Sequence, residues 1–185
     1  MDLFSDIQQR KAANAKKLAS FGVASKVTDT GYTKLIRSGK NVTLYTVGYE
    51  RRDGDGLISV LLDQGVKAIA DIRERPTSRK PDFRAASLRA LCKANRIEYQ
   101  AWPMLGSTAE QRDELHASGD FHRFADRFRA CAIETMMPEI ARLAESSRRI
   151  PTALLCYERL HEDCHRSVIA ELVADQTEAT IVAIQ

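Results

Sequence analysis

The sequence predicts an α/β fold of the Rossmann-like kind, a mainly parallel sheet of about five strands flanked by helices, with an N-terminal helical extension. Three observations carry that expectation. Strand-like and helix-like segments alternate as βαβαβ from residue 41 onward, the order that builds a parallel sheet with right-handed crossovers. The first candidate strand, NVTLYTVGYE at 41–50, is β-branched, aromatic and apolar nearly throughout, as a strand buried on both faces must be. The segment that follows it, RRDGDGLISVLLDQG, carries helix signals at both ends.

Length and composition fit this picture. A chain of 185 residues, 44% hydrophobic and 29% charged, is long enough to bury one core. The net charge of +3 is unevenly spread: residues 1–40 hold eight Lys/Arg against three Asp/Glu, and the rest 20 against 22. We therefore read 1–40 as a basic N-terminal extension and 41–185 as the α/β domain. Within the extension, residues 5–20 read as a helix capped by Ser5 or Asp6 and ended by Gly22. Gly31 and Gly39 then mark turns. No apolar run reaches membrane-spanning length and no signal-peptide pattern opens the chain, so a cytoplasmic protein with no membrane partner is expected. The four cysteines, Cys92, Cys131, Cys156 and Cys164, show no disulfide-framework spacing and are expected as thiols.

The elements follow in order. The strand ending at Gly48 leads to a helix with Asp53 or Asp55 as its cap, Leu57, Val60 and Leu61 inward, and Gly65 as its stop. Val66–Ile72 is the second strand. It delivers the chain into DIRERPTSRKPDFR at 71–84, where Arg73, Arg75, Arg79, Lys80 and Arg84 sit on a loop stiffened by Pro76 and Pro81. Residues 85–95 form a helix with Leu88, Leu91 and Cys92 inward, and 96–100 a short strand. Residues 107–120 read as an insertion with a short helix before Gly119. Phe121, Phe124, Ala125 and Phe128 recur at helical spacing and belong to the core. Pro138 interrupts or restarts that helix. Thr152–Tyr157 is the fourth strand, a helix with Val168, Ile169, Leu172 and Val173 inward follows, and Thr180–Ile184 closes the sheet.

In an open parallel sheet, ligands bind outside the carboxyl ends of the strands. Four polar clusters fall there: 48–51, 71–84, 102–107 and 156–167. Arg73 and Arg79 on the loop, with Ser78, are read as one half of an anion site, while Lys80 and Arg84 are read as surface. The other half is the helix start at Cys164, His165, Arg166 and Ser167, where free N–H groups favour an anion or a thiolate. Asp71 and Glu158 are the candidate general acid and base, or one of them holds Arg73 or Arg166 in place. Tyr49 or Trp102 would stack on a base. Cys156, His161, Cys164 and His165 offer soft ligands, but at a spacing that matches no standard zinc pattern, so neither metal nor cofactor is expected. No glycine-rich dinucleotide or P-loop motif occurs, and the phosphatase pattern C-x(5)-R fails at Ala170.

TVGYE at 46–50, DIRERPTSRKPDF at 71–83, the W-P-x-L-G element at 102–106 and LLCYERLHEDCHRS at 154–167 together resemble the domain of unknown function 488 family over roughly residues 43–175. The resemblance implies a shared site at Gly48, Tyr49, Asp71, Arg73, Pro76, Ser78, Arg79, Cys156, Glu158, Cys164, His165 and Arg166. It supplies no activity. The residues themselves point to an enzyme acting on a phosphate-bearing small molecule or nucleic acid, by hydrolysis or glycosidic-bond cleavage. Two alternatives stay open: a non-catalytic nucleotide- or nucleic-acid-binding module, and a thiol- or zinc-dependent enzyme using Cys164 and His165.

Overall fold

In the computed structural model, residues 33–39 and 42–185 are described. The helix expected over 5–20 lies outside them. The elements are β1 (Thr33–Arg37), β2 (Thr43–Gly48), α1 (Gly54–Asp63), β3 (Ala68–Asp71), α2 (Ala85–Ala94), β4 (Glu98–Ala101), α3 (Ala109–Ser118), α4 (Phe121–Thr135), α5 (Met137–Arg149), β5 (Thr152–Cys156), α6 (Arg166–Thr177) and β6 (Thr180–Ile184), with single 3-10 turns at Pro81–Phe83 and Pro103–Leu105. No helix among the described residues is long and apolar enough to cross a membrane.

The strands form one sheet in the order β1-β6-β2-β5-β3-β4. Neighbours are parallel from β6 to β4, and β1 runs antiparallel on β6. The sheet thus gains a strand from residues 33–37, inside the segment that composition assigned to the extension. Basic residues at its exposed edge suit a sheet margin, where charge discourages further pairing. The inner strands β3, β5 and β6 are buried at every position, which is why they read as continuous apolar runs.

Local signals set the helix limits. Asp53 caps α1 by accepting from the Gly56 N–H at 2.8 Å. Thr108 and Gln111 form a reciprocal capping box at the start of α3, and Gly119 ends it in the left-handed region at φ 66°. Pro138 sits in the first turn of α5, so it restarts the helix where its missing N–H costs nothing. Alternate strand positions feed two cores. Val47, Ile69 and Leu155 pack on α1 and α2, while Leu44, Ala70 and Leu154 pack under α4, α5 and α6.

The order places a topological switch point between β2 and β5. The chain leaves β2 for β3 on one side and leaves β5 for β6 on the other, so the adjacent carboxyl ends diverge and open a crevice. Register fixes what stands there: Gly48 is level with Cys156, and Asp71 is level with Leu155.

His161, a candidate ligand by sequence, is placed elsewhere. Its Nδ1 lies 2.9 Å from Thr46 Oγ1, it is 4% exposed, and burial pushes its pKa down from the usual 6.5 to about 4. The native state therefore binds fewer protons than the unfolded chain between those values. The stability associated with the neutral ring is full above pH 6.5 and is lost as pH falls towards 4, by about 3 kcal/mol. Urea melts from pH 7 to pH 4 check this: His161→Asn should flatten the slope, and a slope equal to that of the wild type refutes the assignment.

Candidate functional site

The end of β3 builds the rigid wall of the crevice. Asp71 binds Arg73 in a bidentate pair, with Oδ1 accepting from Nε at 2.8 Å and Oδ2 from Nη2 at 2.6 Å. Tyr99 Oη donates to the same Oδ2 at 2.8 Å, and the Arg73 backbone N–H donates to Oδ1 at 3.3 Å. Arg73 Nη1 donates to Tyr49 Oη and to the Phe83 carbonyl, both at 2.9 Å. Tyr49 in turn stacks on Phe83, with ring centroids 4.2 Å apart. Both members of the ion pair are buried. Burial works against the Arg73 charge, but the hydrogen bonds and field of Asp71 outweigh it and hold the guanidinium charged. Asp71, one of the two acid/base candidates, is thus committed to Arg73 and Tyr99, and Tyr49 is a buried strut rather than a stacking surface.

The cationic loop is anchored by Lys80, whose ammonium donates to the carbonyls of Tyr49 at 3.1 Å, Glu50 at 2.5 Å and Arg52 at 2.8 Å. This corrects the reading of Lys80 as surface: its three donors close the turn after β2. Ser78 accepts from the Lys80 N–H at 3.1 Å and its carbonyl accepts from Arg84, so it shapes the loop from within. Arg79 is exposed. The W-P-x-L-G element locks onto the same loop, since a Cβ on Gly106 would lie 2.1 Å from the Glu74 nitrogen.

The opposite wall comes from β5 and the start of α6. The chain after β5 crosses over the end of β2 so closely that a Cβ on Gly48 would lie 1.8 Å from the Glu158 carbonyl oxygen. Glycine at 48 is therefore a packing requirement. Arg166 ties this crossing down, donating from Nη1 to the Glu158 carbonyl at 2.5 Å and from Nη2 to that of Arg159 at 3.0 Å. It is fully buried, and its Nε finds no partner among the described residues. Arg166, read from the sequence as an anion ligand, thus faces inward with two of its nitrogens on carbonyls. Ser167 Oγ donates to the Cys164 carbonyl at 2.8 Å, a local contact in the first turn of α6.

Between the walls lie Cys156, Glu158, Cys164 and His165, whose donor atoms all fall within 4.8 Å of one another. Cys156 Sγ is 3.2 Å from Glu158 Oε2 and 3.6 Å from His165 Nδ1. Cys164 Sγ is 3.9 Å from that Nδ1 and accepts from the Arg166 backbone N–H at 3.5 Å. His165 Nε2 lies 3.3 Å from the Ile72 carbonyl, and the ring meets Phe128 edge to face. Crowding of acidic groups polarises the cluster. The hydrogen bond with Cys164 and burial push the Cys156 thiol well up. Burial would raise Cys164 too, but Cys156, Arg166 and His165 together draw it well down. Burial first, then the charge of Cys164, raises Glu158 to about 7.

A cleft of about 270 Å³ opens over these groups, lined by Tyr49, Arg73, Glu74, Arg75, Thr77, Ser107, Arg112, Cys156, Tyr157, Glu158 and His165. Each of the four sequence clusters contributes to it. Cys164 lies behind the lining. Trp102 lies away from the cleft, with Arg142 over its ring at 5.5 Å and its indole N–H on Gln100, and Ser78, Arg79, Arg166 and Ser167 also stand outside it.

The cations that do face the cleft include two that the sequence reading had not placed there. Arg75 comes from the loop. Arg112 comes from α3, and it donates to the Ser107 carbonyl and to Glu74 Oε2 at 3.1 Å. The capping box at Thr108–Gln111 was the one signal that a helix starts right after the P-x-L-G turn and so carries Arg112 to this edge. Tyr157, 44% exposed, adds an aromatic ring at the mouth, edge to face with Tyr49.

The family model described as Domain of unknown function DUF488 matches residues 55–173. No curated protein and no solved structure matches the chain.

Proposed function

This chain belongs to the DUF488 family, and we propose that it is an enzyme that seats a phosphate-bearing substrate in the cleft between β2 and β5 and cleaves it with water, using Glu158 to move the proton. One observation carries the reading. Arg75 and Arg112 line the same small cleft as a carboxylate, Glu158, that forms no ion pair with another described residue. Asp71 is engaged by Arg73 and Glu74 by Arg112, whereas Glu158 meets the weak thiol donor of Cys156. Arginines lining a partly enclosed site are suited to phosphate, through paired charge-assisted hydrogen bonds. A carboxylate held beside them by a weak thiol donor rather than by a cation is suited to proton transfer.

The ring of Tyr157 at the mouth is the kind of surface on which a base stacks, so the substrate class is a nucleotide or one terminal unit of a nucleic acid. A volume of about 270 Å³ sits at the small end of ligand sites, in keeping with a single such unit. A nucleophilic Cys164 is less favoured, because that thiol does not line the cleft.

Titration with inorganic phosphate and with nucleoside monophosphates tests the binding half. Arg75→Ala and Arg112→Ala should each weaken affinity roughly 10- to 100-fold, the worth of a charge-assisted hydrogen bond, while Arg79→Ala leaves it nearly unchanged. Unaltered affinity in the first two variants overturns the reading. Among products, released phosphate marks ester hydrolysis and a released base marks glycosidic cleavage. Binding without any product supports the non-catalytic module instead.

A further inference from the structure

We propose that Cys156, Cys164 and His165 hold a zinc ion at the floor of the cleft, with its fourth position turned towards Glu158. The donor set is the first argument. Two thiol sulfurs and an imidazole nitrogen form a soft group that selects zinc over calcium or magnesium, and three protein donors with one open position is the arrangement of zinc sites that act on substrates.

Distances are the second argument. Zinc bonds of about 2.3 Å to sulfur and about 2.0–2.1 Å to nitrogen, at tetrahedral angles, separate a sulfur from a nitrogen by about 3.6 Å. The two sulfur-to-Nδ1 distances are 3.6 Å for Cys156 and 3.9 Å for Cys164. All the donor atoms lie within 4.8 Å of one another, so only small adjustments of side-chain torsions bring the three onto one ion. The sequence spacing concealed this because the donors arrive from two separate segments, the end of β5 and the start of α6, and because His161 is drawn off to Thr46.

The surroundings supply the third argument. Zinc-bound histidines commonly donate their second ring N–H to a carbonyl, which fixes the tautomer. Here Nε2 lies 3.3 Å from the Ile72 carbonyl, so on a metal-bound ring the Nδ1 lone pair would be the one turned towards the two sulfurs. The Arg166 backbone N–H points at Cys164 Sγ at 3.5 Å, a contact suited to a thiolate. Cys156, Cys164 and His165 are 4%, 1% and 6% exposed, whereas Glu158 is half-buried and lines the cleft. The less buried carboxylate thus stands beside the open fourth position, within reach of a water or substrate oxygen that would fill it. The metal site stands on these donors alone. Its use on a substrate rests on the reading of the cleft given above.

Anaerobic, reduced full-length chain titrated with cobalt(II) and then with zinc tests the proposal. The expected result is one cobalt per chain, with a thiolate-to-cobalt charge-transfer band and the intense visible bands of tetrahedral cobalt, all lost when zinc displaces it. Cys164→Ser and His165→Asn should weaken cobalt binding by more than about 100-fold, beyond what losing an outer partner costs. Cys131→Ser and Glu158→Gln should keep the spectrum. Loss of the spectrum in Glu158→Gln overturns the three-donor assignment. Absence of any charge-transfer band in the reduced wild-type chain overturns the site outright, and that result does not depend on whether a variant folds. A chain that binds phosphate but no cobalt refutes the metal and leaves the cleft reading standing. A chain that binds cobalt but no phosphate-bearing ligand does the reverse.

Discussion

If the proposed reading holds, Glu158→Gln is expected to lower kcat on a phosphate-bearing substrate by roughly 100- to 10,000-fold, the usual worth of a positioned acid or base, and to leave the affinity for inorganic phosphate nearly unchanged. The expectation follows from how the carboxylates are used. Asp71 accepts from Arg73 and Tyr99, and Glu74 is held by Arg112. Of the two carboxylates that line the cleft, Glu158 forms no ion pair with another described residue. Glutamine keeps its shape and an acceptor oxygen for Cys156 while removing the proton-transfer function. A kcat equal to that of the wild type, measured on a substrate whose turnover has been established, removes Glu158 from the chemistry.

Asp71→Asn is expected to act through the fold. It leaves the Arg73 guanidinium buried beside a neutral amide, and breaking a buried ion pair in this way costs about 3–5 kcal/mol. Chemical denaturation should show a loss in that range, whereas Glu158→Gln should stay within about 1 kcal/mol of the wild type because its side chain is half-buried. The double change Asp71→Leu with Arg73→Met should recover much of the stability, since an apolar pair of similar size avoids the unpaired charge. A loss below about 1 kcal/mol in Asp71→Asn contradicts the placement of this pair as the frame of the cleft.

These two residues show where sequence reading reaches its limit. Asp71 and Glu158 look alike in the sequence, each an acid at the end of an apolar strand, and what separates them is who else arrives there: Arg73 and Tyr99 at one, the Cys156 thiol at the other. The strands were legible because burial on both faces demands unbroken apolar runs, and the helix limits were legible because Asp53, Gly119 and Pro138 act locally. The edge strand β1 was not, since a half-buried margin carries lysine and arginine and breaks the apolar pattern.

The cations separate along the same line. A charge on a loop declares its sign but not its direction, so Lys80 turned out to clasp three carbonyls and Arg166 to lie wholly inside, while Arg112 arrived from a helix outside the sequence motifs. The polar groups at 48–51, 71–84, 102–107 and 156–167 were placed on one edge by strand order alone, and residues from each of them line the cleft.

The most direct measurement is a crystal of the full chain soaked with a nucleoside monophosphate. The phosphate is expected between Arg75 and Arg112, with the base against Tyr157 and the reacting bond within reach of Glu158. A phosphate bound at Arg79 or elsewhere on the surface, with the cleft between β2 and β5 left empty, contradicts this placement.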